Sequence, residues 1–216
     1  MRGIVLAGGT GSRLGLLTQA VNKHLLPVRG VPMVFHPLRV LRENGIDDIT
    51  IVSSPEGVGQ LARLLGGGYT YRVQEKPGGI AQALLCAESK SRELVAVILG
   101  DNVFLPSPVL ELTGLASVFL VEVDDPRQSG VAVLDWQTVV GIVEKPEQPP
   151  SNYAVAGLYL FDASIFQRLR DSQPWREYAL TEQLDAFAKQ GQLSASILHG
   201  FWGDAGTIEG IKRCEF

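Results

Sequence analysis

A few short stretches of this sequence carry side chains whose type and spacing could do chemistry. The first is Leu6-Ala7-Gly8-Gly9-Thr10-Gly11-Ser12-Arg13-Leu14. Glycines let a backbone approach a phosphate closely and aim its N–H groups at it. Two familiar glycine motifs fail here. GxGxxG needs Gly where Leu14 stands, and a P-loop needs a closing GK[ST] that is missing. Instead, Arg13 comes two residues after Gly11, and Lys23 ten residues further on, in Lys23-His24-Leu25-Leu26-Pro27. Two permanent cations beside one glycine loop suit a polyphosphate, whose charge must be neutralised during transfer. The simpler alternative is a glycine-rich turn with two solvated basic residues.

Two acids come next, Asp101 in Gly100-Asp101-Asn102 and Asp204 in Gly203-Asp204-Ala205-Gly206. Mg²⁺ prefers one or two carboxylates together with substrate phosphate oxygens. Two acids on separate loop ends above one sheet could supply that. An Asp beside Gly is otherwise a turn or cap residue. Lys145, in Glu144-Lys145-Pro146, reads on its own as a ligand for an anion or as half of a surface ion pair of little worth. His24, His36 and His199 are unclustered and read as packing or surface residues. Trp136, Trp175 and Trp202 read as core or rim aromatics, with Trp202 close enough to Asp204 to form a wall beside it. Cys86 and Cys214 lack metal or redox spacing.

Elements at one edge of a sheet must position these groups. Arg2 to Leu6 is a short apolar run that predicts a buried strand ending at the glycine loop. Ile49 to Val52, Tyr69 to Val73 and Leu94 to Leu99 predict further strands. Helical spacing appears from Pro32 to Leu41, with Pro37 forcing a kink or a late start, and again over Gln60 to Leu65 and Ile80 to Ala87. This strand–helix alternation is the pattern of a parallel sheet covered on both faces. Beyond residue 110 the strands Ser117 to Val123, Val131 to Asp135, Val139 to Glu144 and Ala154 to Phe161 follow with few helices, which predicts mixed pairing. Ser164 and Thr181 are the expected N-caps of two later helices. Leu193 to Ile197 alternates like a half-buried strand. No linker is visible, so residues 1–216 are expected to form one domain.

The chain has 216 residues, net charge −4, 45% hydrophobic and 19% charged residues. That excludes a disordered or fibrous chain and, with no Lys/Arg run, a nucleic-acid footprint. No apolar stretch is long enough to span a membrane, and the N-terminus reaches Gly8 too soon for a signal peptide. A cytoplasmic location is expected, and a homo-oligomer is compatible with the sequence.

In order along the chain, Gly8-Gly9-Thr10-Gly11-Ser12-Arg13-Leu14, Asn22-Lys23-His24-Leu25-Leu26-Pro27, Val73-Gln74, Gly79-Ile80-Ala81-Gln82-Ala83, Leu99-Gly100-Asp101-Asn102, Glu144-Lys145-Pro146, Ser151 to Tyr159 and Asp204-Ala205-Gly206-Thr207 resemble the sugar-1-phosphate nucleotidyltransferases. Within that family the likeness is to the glucose-1-phosphate thymidylyltransferases. It covers essentially the whole chain.

The resemblance implies a Rossmann-like three-layer α/β fold, a mixed, mostly parallel sheet flanked by helices, with a small sugar-binding lobe. It implies dTTP or UTP and a sugar 1-phosphate as substrates and Mg²⁺ held by Asp101 and Asp204. Leu6, Gly8, Gly9, Gly11 and Arg13 would take the nucleotide, with Arg13, Lys23 and Asp101 as the catalytic groups. Gln74 and Gly79 fall at the nucleobase, and a Gln amide offers both a donor and an acceptor to a pyrimidine. Asn102, Gly130, Glu144, Lys145 and Val155 fall at the sugar phosphate. The family pattern continues beyond Phe216 through a helical segment tied to tetramers and a regulatory site, which puts both in doubt here. Gly203 and Ala205 are small for their positions, which predicts a loosely held Asp204. A uridylyltransferase acting on a different sugar, a non-catalytic sugar-nucleotide module and a nicotinamide oxidoreductase are the alternatives. The failed GxGxxG and the lack of an acid after Val52 argue against the last.

Overall fold

The computed structural model describes residues 1–9, 11–18, 20–172 and 179–215. Trp175 and Thr10 lie outside them. The apolar runs form strands as expected. β1 is Arg2–Ala7. A short hairpin, β2 (Pro27–Val28) and β3 (Val31–Pro32), follows a 3₁₀ segment at Ser12–Thr18. The helix α1 runs Phe35–Glu43, so Pro37 falls in its first turn, where its missing N–H costs nothing. β4 is Ile49–Ser53. α2, Pro55–Leu65, starts earlier than the periodicity suggests, because Ser54 caps it by accepting from the Gly57 N–H and Pro55 opens its first turn. β5 is Thr70–Val73, α3 Gly79–Cys86 and β6 Val95–Leu99.

The second half adds β7 (Asn102–Leu105), β8 (Ala116–Glu122), β9 (Gly130–Asp135), β10 (Thr138–Glu144) and β11 (Tyr153–Phe161). α4 (Ser164–Asp171), α5 (Ala179–Lys189), β12 (Leu193–Ile197), β13 (Phe201–Asp204) and α6 (Ile208–Glu215) complete it.

The main sheet runs β10-β9-β11-β6-β1-β4-β5, with β8 also on β11 and β12 beside β8. β4 and β6 pair in parallel with the two sides of β1. The chain therefore moves one way from β1 to β4 and β5, then returns across β1 to place β6. That reversal opens a crevice at the carboxyl ends of β1 and β6, where ligands bind in such sheets. β11 runs antiparallel to β6, with Leu158 opposite Ile98, so its amino-terminal half lies at the same edge. Glu144 pairs with Gly130, and Val131 with Ala154, which brings β9 and β10 to that edge too.

Side chains of each central strand alternate between two cores. Ile4, Leu6, Val95 and Val97 pack under α3, α4 and α5. Val5, Ala7, Ala96 and Ile98 pack under α1 and α2. This is the expected three-layer arrangement. A small third cluster, including Val28, Val103, Ala205 and Cys214, seats α6.

Some local expectations are corrected. Ala163, not Ser164, is the N-cap of α4, and its methyl group can make no cap bond; the Ser164 hydroxyl donates to Asp162 instead. Thr181 lies inside α5, where its hydroxyl serves Glu144 at 2.6 Å. Trp136 sits exposed at the tip of the β9–β10 hairpin, outside any core. Ile197 is likewise exposed, so β12 is less regularly amphipathic than its sequence.

Candidate active site

The acids are brought together by a two-stranded sheet in which β13 pairs with β7. Asp101 lies in the turn between β6 and β7, and Asp204 pairs with Asn102 across the ladder. The Ala205 N–H donates to the Asp101 carbonyl at 2.9 Å, and the Gly206 N–H to Asp204 Oδ1 at 2.7 Å. Ala205 is fully buried, so the small residues around Asp204 are packed. Gly206 marks where the charges meet. A Cβ there would lie 2.8 Å from Asp204 Oδ1, 3.0 Å from Asp101 Oδ2 and 3.3 Å from Arg13 Nη2. Two carboxylates and a guanidinium therefore surround one point.

Lys23 makes a buried ion pair with Asp101 Oδ2 and passes close to Gly9. Burial alone pushes Asp101 up, but the Lys23 charge and the hydrogen bonds from Lys23 and Asn102 outweigh it, leaving it below the ordinary carboxylate range. Asp204 shifts the other way. Burial and the Asp101 charge push it up, beyond what the Gly206 N–H, Lys23 and Arg13 offset. One acid is thus already compensated, while the other still lacks positive charge. His24 is a packing residue: its Nδ1 lies 2.7 Å from Asn22 Oδ1, and burial lowers its pKa to about 3, so the ring is neutral.

On one side of the acids a pocket is lined by Leu6, Gly8, Gly9, Lys23, Gln74, Gly79 and Asp101, together with Ile80 and Leu99. Gly11 is not in this wall; its left-handed backbone packs against Thr18. Gln74 is nearly buried. Its Nε2 donates to the Gly79 carbonyl at 3.3 Å and to Gln82 Oε1 at 2.5 Å. Its Oε1 faces Gly8 so closely that no Cβ would fit there. The amide was expected to offer a donor and an acceptor; both of its N–H groups are already used, so only the acceptor is open.

On the other side a cavity of about 170 Å³ gathers Asn102, Gly130, Glu144 and Val155 with Tyr159, Thr181, Trp202 and Asp204. Ile80 and Leu99 line this cavity as well as the first, so the two adjoin. Asn102 braces the junction. Its Oδ1 accepts from the Gly157 N–H at 3.1 Å and from Trp202 Nε1 at 2.7 Å, and its Nδ2 donates to Asp101 Oδ1 at 3.1 Å. Lys145 follows β10 with a left-handed backbone, its N–H on the Ser129 carbonyl at 2.9 Å, and is not among the lining residues. Beyond Asp204 a third cleft carries Arg13 and Arg213. Neither Gly206 nor Thr181 was given a role at the site from sequence. The Asp-Ala-Gly-Thr run pointed at the first, whereas nothing local pointed at the second.

Comparison with known proteins finds relatives along the whole chain. The model of the family described as Nucleotidyl transferase matches residues 2–214. A glucose-1-phosphate thymidylyltransferase of Actinoplanes sp. is 40% identical, covering 99% of this chain and 76% of its own length. The enzyme of the same name from Neisseria meningitidis is 36% identical, covering 99% and 81%. A solved Bacillus anthracis structure assigned to glucose-1-phosphate thymidylyltransferase superposes with a TM-score of 0.91 at 39% identity, covering 100% of this chain and 94% of that one. A UDP-glucose pyrophosphorylase structure shares the fold, with a TM-score of 0.83 at 22% identity. With its strand order, its paired acids and its glycine loop, the chain belongs to the nucleotidyl transferase family and is an enzyme of nucleotide-sugar synthesis.

Proposed function

We propose that this enzyme transfers a nucleoside monophosphate from dTTP or UTP to glucose 1-phosphate or a close relative, releasing pyrophosphate. The observation that carries the reading is the convergence of Asp101, Asp204 and Arg13 on Gly206, between two adjoining pockets of which Asp101 lines one and Asp204 the other. The pocket with Gly8, Gly9, Gln74 and Gly79 takes the nucleoside. The cavity with Glu144, Gly130 and Val155 takes the sugar, with Lys145 beside its phosphate and Asn102 holding the shape of the wall.

The reaction needs no protein nucleophile or general base, because a phosphate oxygen is already anionic at pH 7. That oxygen attacks the α-phosphorus in line, a new P–O bond forms, and the bond to the β-phosphate oxygen breaks. Catalysis is then alignment and charge neutralisation. Arg13 and the amides of the glycine loop stabilise the departing pyrophosphate, and Lys23 stabilises the α-phosphate. The donor set suits Mg²⁺: two carboxylates facing one point, with room for phosphate oxygens, and one of them short of positive charge. Asp101 and Asp204 would hold the ion, which supplies Lewis-acid polarisation of the phosphates.

The test is pyrophosphate release with each common nucleoside triphosphate crossed with several hexose 1-phosphates. Turnover is expected with dTTP or UTP plus glucose 1-phosphate. Turnover confined to purine triphosphates, or none with any sugar phosphate, overturns the reading.

A further inference from the structure

The base pocket reads its ligand through Gln74, and Gln74 is held from behind. Gln82 does not line the pocket; it lies one turn into α3, half-buried, with its Oε1 at 2.5 Å from Gln74 Nε2. Its own Nε2 faces Cys86 Sγ at 3.6 Å, so the carbonyl end of Gln82 is the end turned toward Gln74. The second N–H of Gln74 goes to the Gly79 carbonyl, a backbone group that can only accept. These contacts fix the otherwise ambiguous amide: nitrogen toward Gly79 and Gln82, oxygen toward Gly8 in the pocket wall.

We infer that Gln82 is a positioning residue for base choice, which locks Gln74 as a pure acceptor and thereby selects pyrimidines that carry a ring N3–H. Thymine and uracil donate that proton. Cytosine has a lone pair at N3, which would face the Gln74 oxygen, acceptor against acceptor. A site whose buried polar group is left opposed rejects the wrong ligand strongly, whereas the bond to Gly79, at 3.3 Å, is long and would not hold the amide alone. The inference deepens the proposed function and rests on it for the placement of the base.

Equilibrium binding of dTTP and dCTP, each with Mg²⁺, tests it without requiring turnover. The wild type should favour dTTP over dCTP. Gln82→Met keeps the length of the side chain but removes the acceptor, and should cut that preference by about tenfold, the loss of one directional hydrogen bond. Gln82→Glu restores an acceptor at the same distance and should keep the preference within about threefold of the wild type. A merely structural role predicts the opposite, because a carboxylate in a half-buried helix should disturb packing more than Met. Melting temperatures of both variants separate the two. A wild type that binds dCTP as well as dTTP, a Gln82→Met that keeps full preference, or a Gln82→Glu that loses it as completely as Gln82→Met overturns the inference. A wild type that discriminates in binding yet makes no pyrophosphate overturns the proposed reaction instead.

Discussion

At the scale of single residues the two acids differ, although both would serve one metal. Asp101 is buried against Lys23, and Asp204 is half-buried beside another anion. Asp101→Asn and Asp204→Asn should each lower kcat at least about 100-fold, on the order of 3 kcal/mol of barrier. Their effects on stability should diverge. Removing the Asp101 charge strands the Lys23 ammonium in a dry site, which costs about 3–5 kcal/mol when a buried pair is broken from one side. Removing the Asp204 charge relieves a carboxylate held above its ordinary range, so Asp204→Asn should unfold no more easily than wild type. Denaturant melts and steady-state rates on the two proteins check both halves; equal destabilisation would mean that the Lys23 pair does not carry the difference. The residues of this cluster were singled out in the sequence by the glycine loop before Arg13 and, for the two aspartates, by the family resemblance. Their division of labour was not legible there, since it depends on which acid the lysine reaches.

At the scale of elements, the small β7–β13 sheet and α6 hold the second acid. Gly210, early in α6, faces the Asp204 carbonyl so closely that any Cβ would collide with backbone. Gly210→Ala should therefore cost about 1–3 kcal/mol by overpacking and reduce kcat as well, because the helix and Asp204 must part. Gly59→Ala is the control. Gly59 lies within α2 with nothing within 4 Å of its missing Cβ, so the substitution should leave kcat unchanged and raise stability by about 0.5–1 kcal/mol. Urea midpoints and kcat for the pair decide the matter; a stable, fully active Gly210→Ala would show that α6 is free to shift. The long apolar strands were readable because burial on both faces writes itself as uninterrupted Val, Ile and Leu. β7 and β13 were not, being four residues each and defined by pairing across about a hundred positions of sequence. Thr181 failed as an expected cap for a similar reason: its partner, Glu144, comes from a distant strand.

At the scale of the whole molecule, the site is built where the sheet reverses its strand order, and Lys23 and His24 sit deep in a chain of net charge −4. Depth has a consequence for acid stability. His24 is packed with Lys23 as its sequence neighbour, and its pKa of about 3 lies far below its ordinary 6.5. The unfolded chain therefore binds a proton at His24 that the folded chain refuses, throughout the window from about pH 6.5 down to about 3. Stability from this group is complete above that window and is lost as pH falls through it, by about 1.4 kcal/mol per pH unit in the middle. Asp204, raised by burial and the Asp101 charge, opposes this by favouring the folded state as it protonates. Comparison with a non-titrating variant isolates the histidine. Its Nδ1 partner is Asn22 Oδ1, so His24→Gln keeps a donor for that bond while removing the titration. The variant should be less stable than wild type at pH 7.5, and the gap should close as pH falls toward 4, because only the wild type loses the histidine contribution. Chemical denaturation of both proteins at several pH values measures the gap directly, and a gap that stays constant would mean that His24 takes up its proton without unfolding.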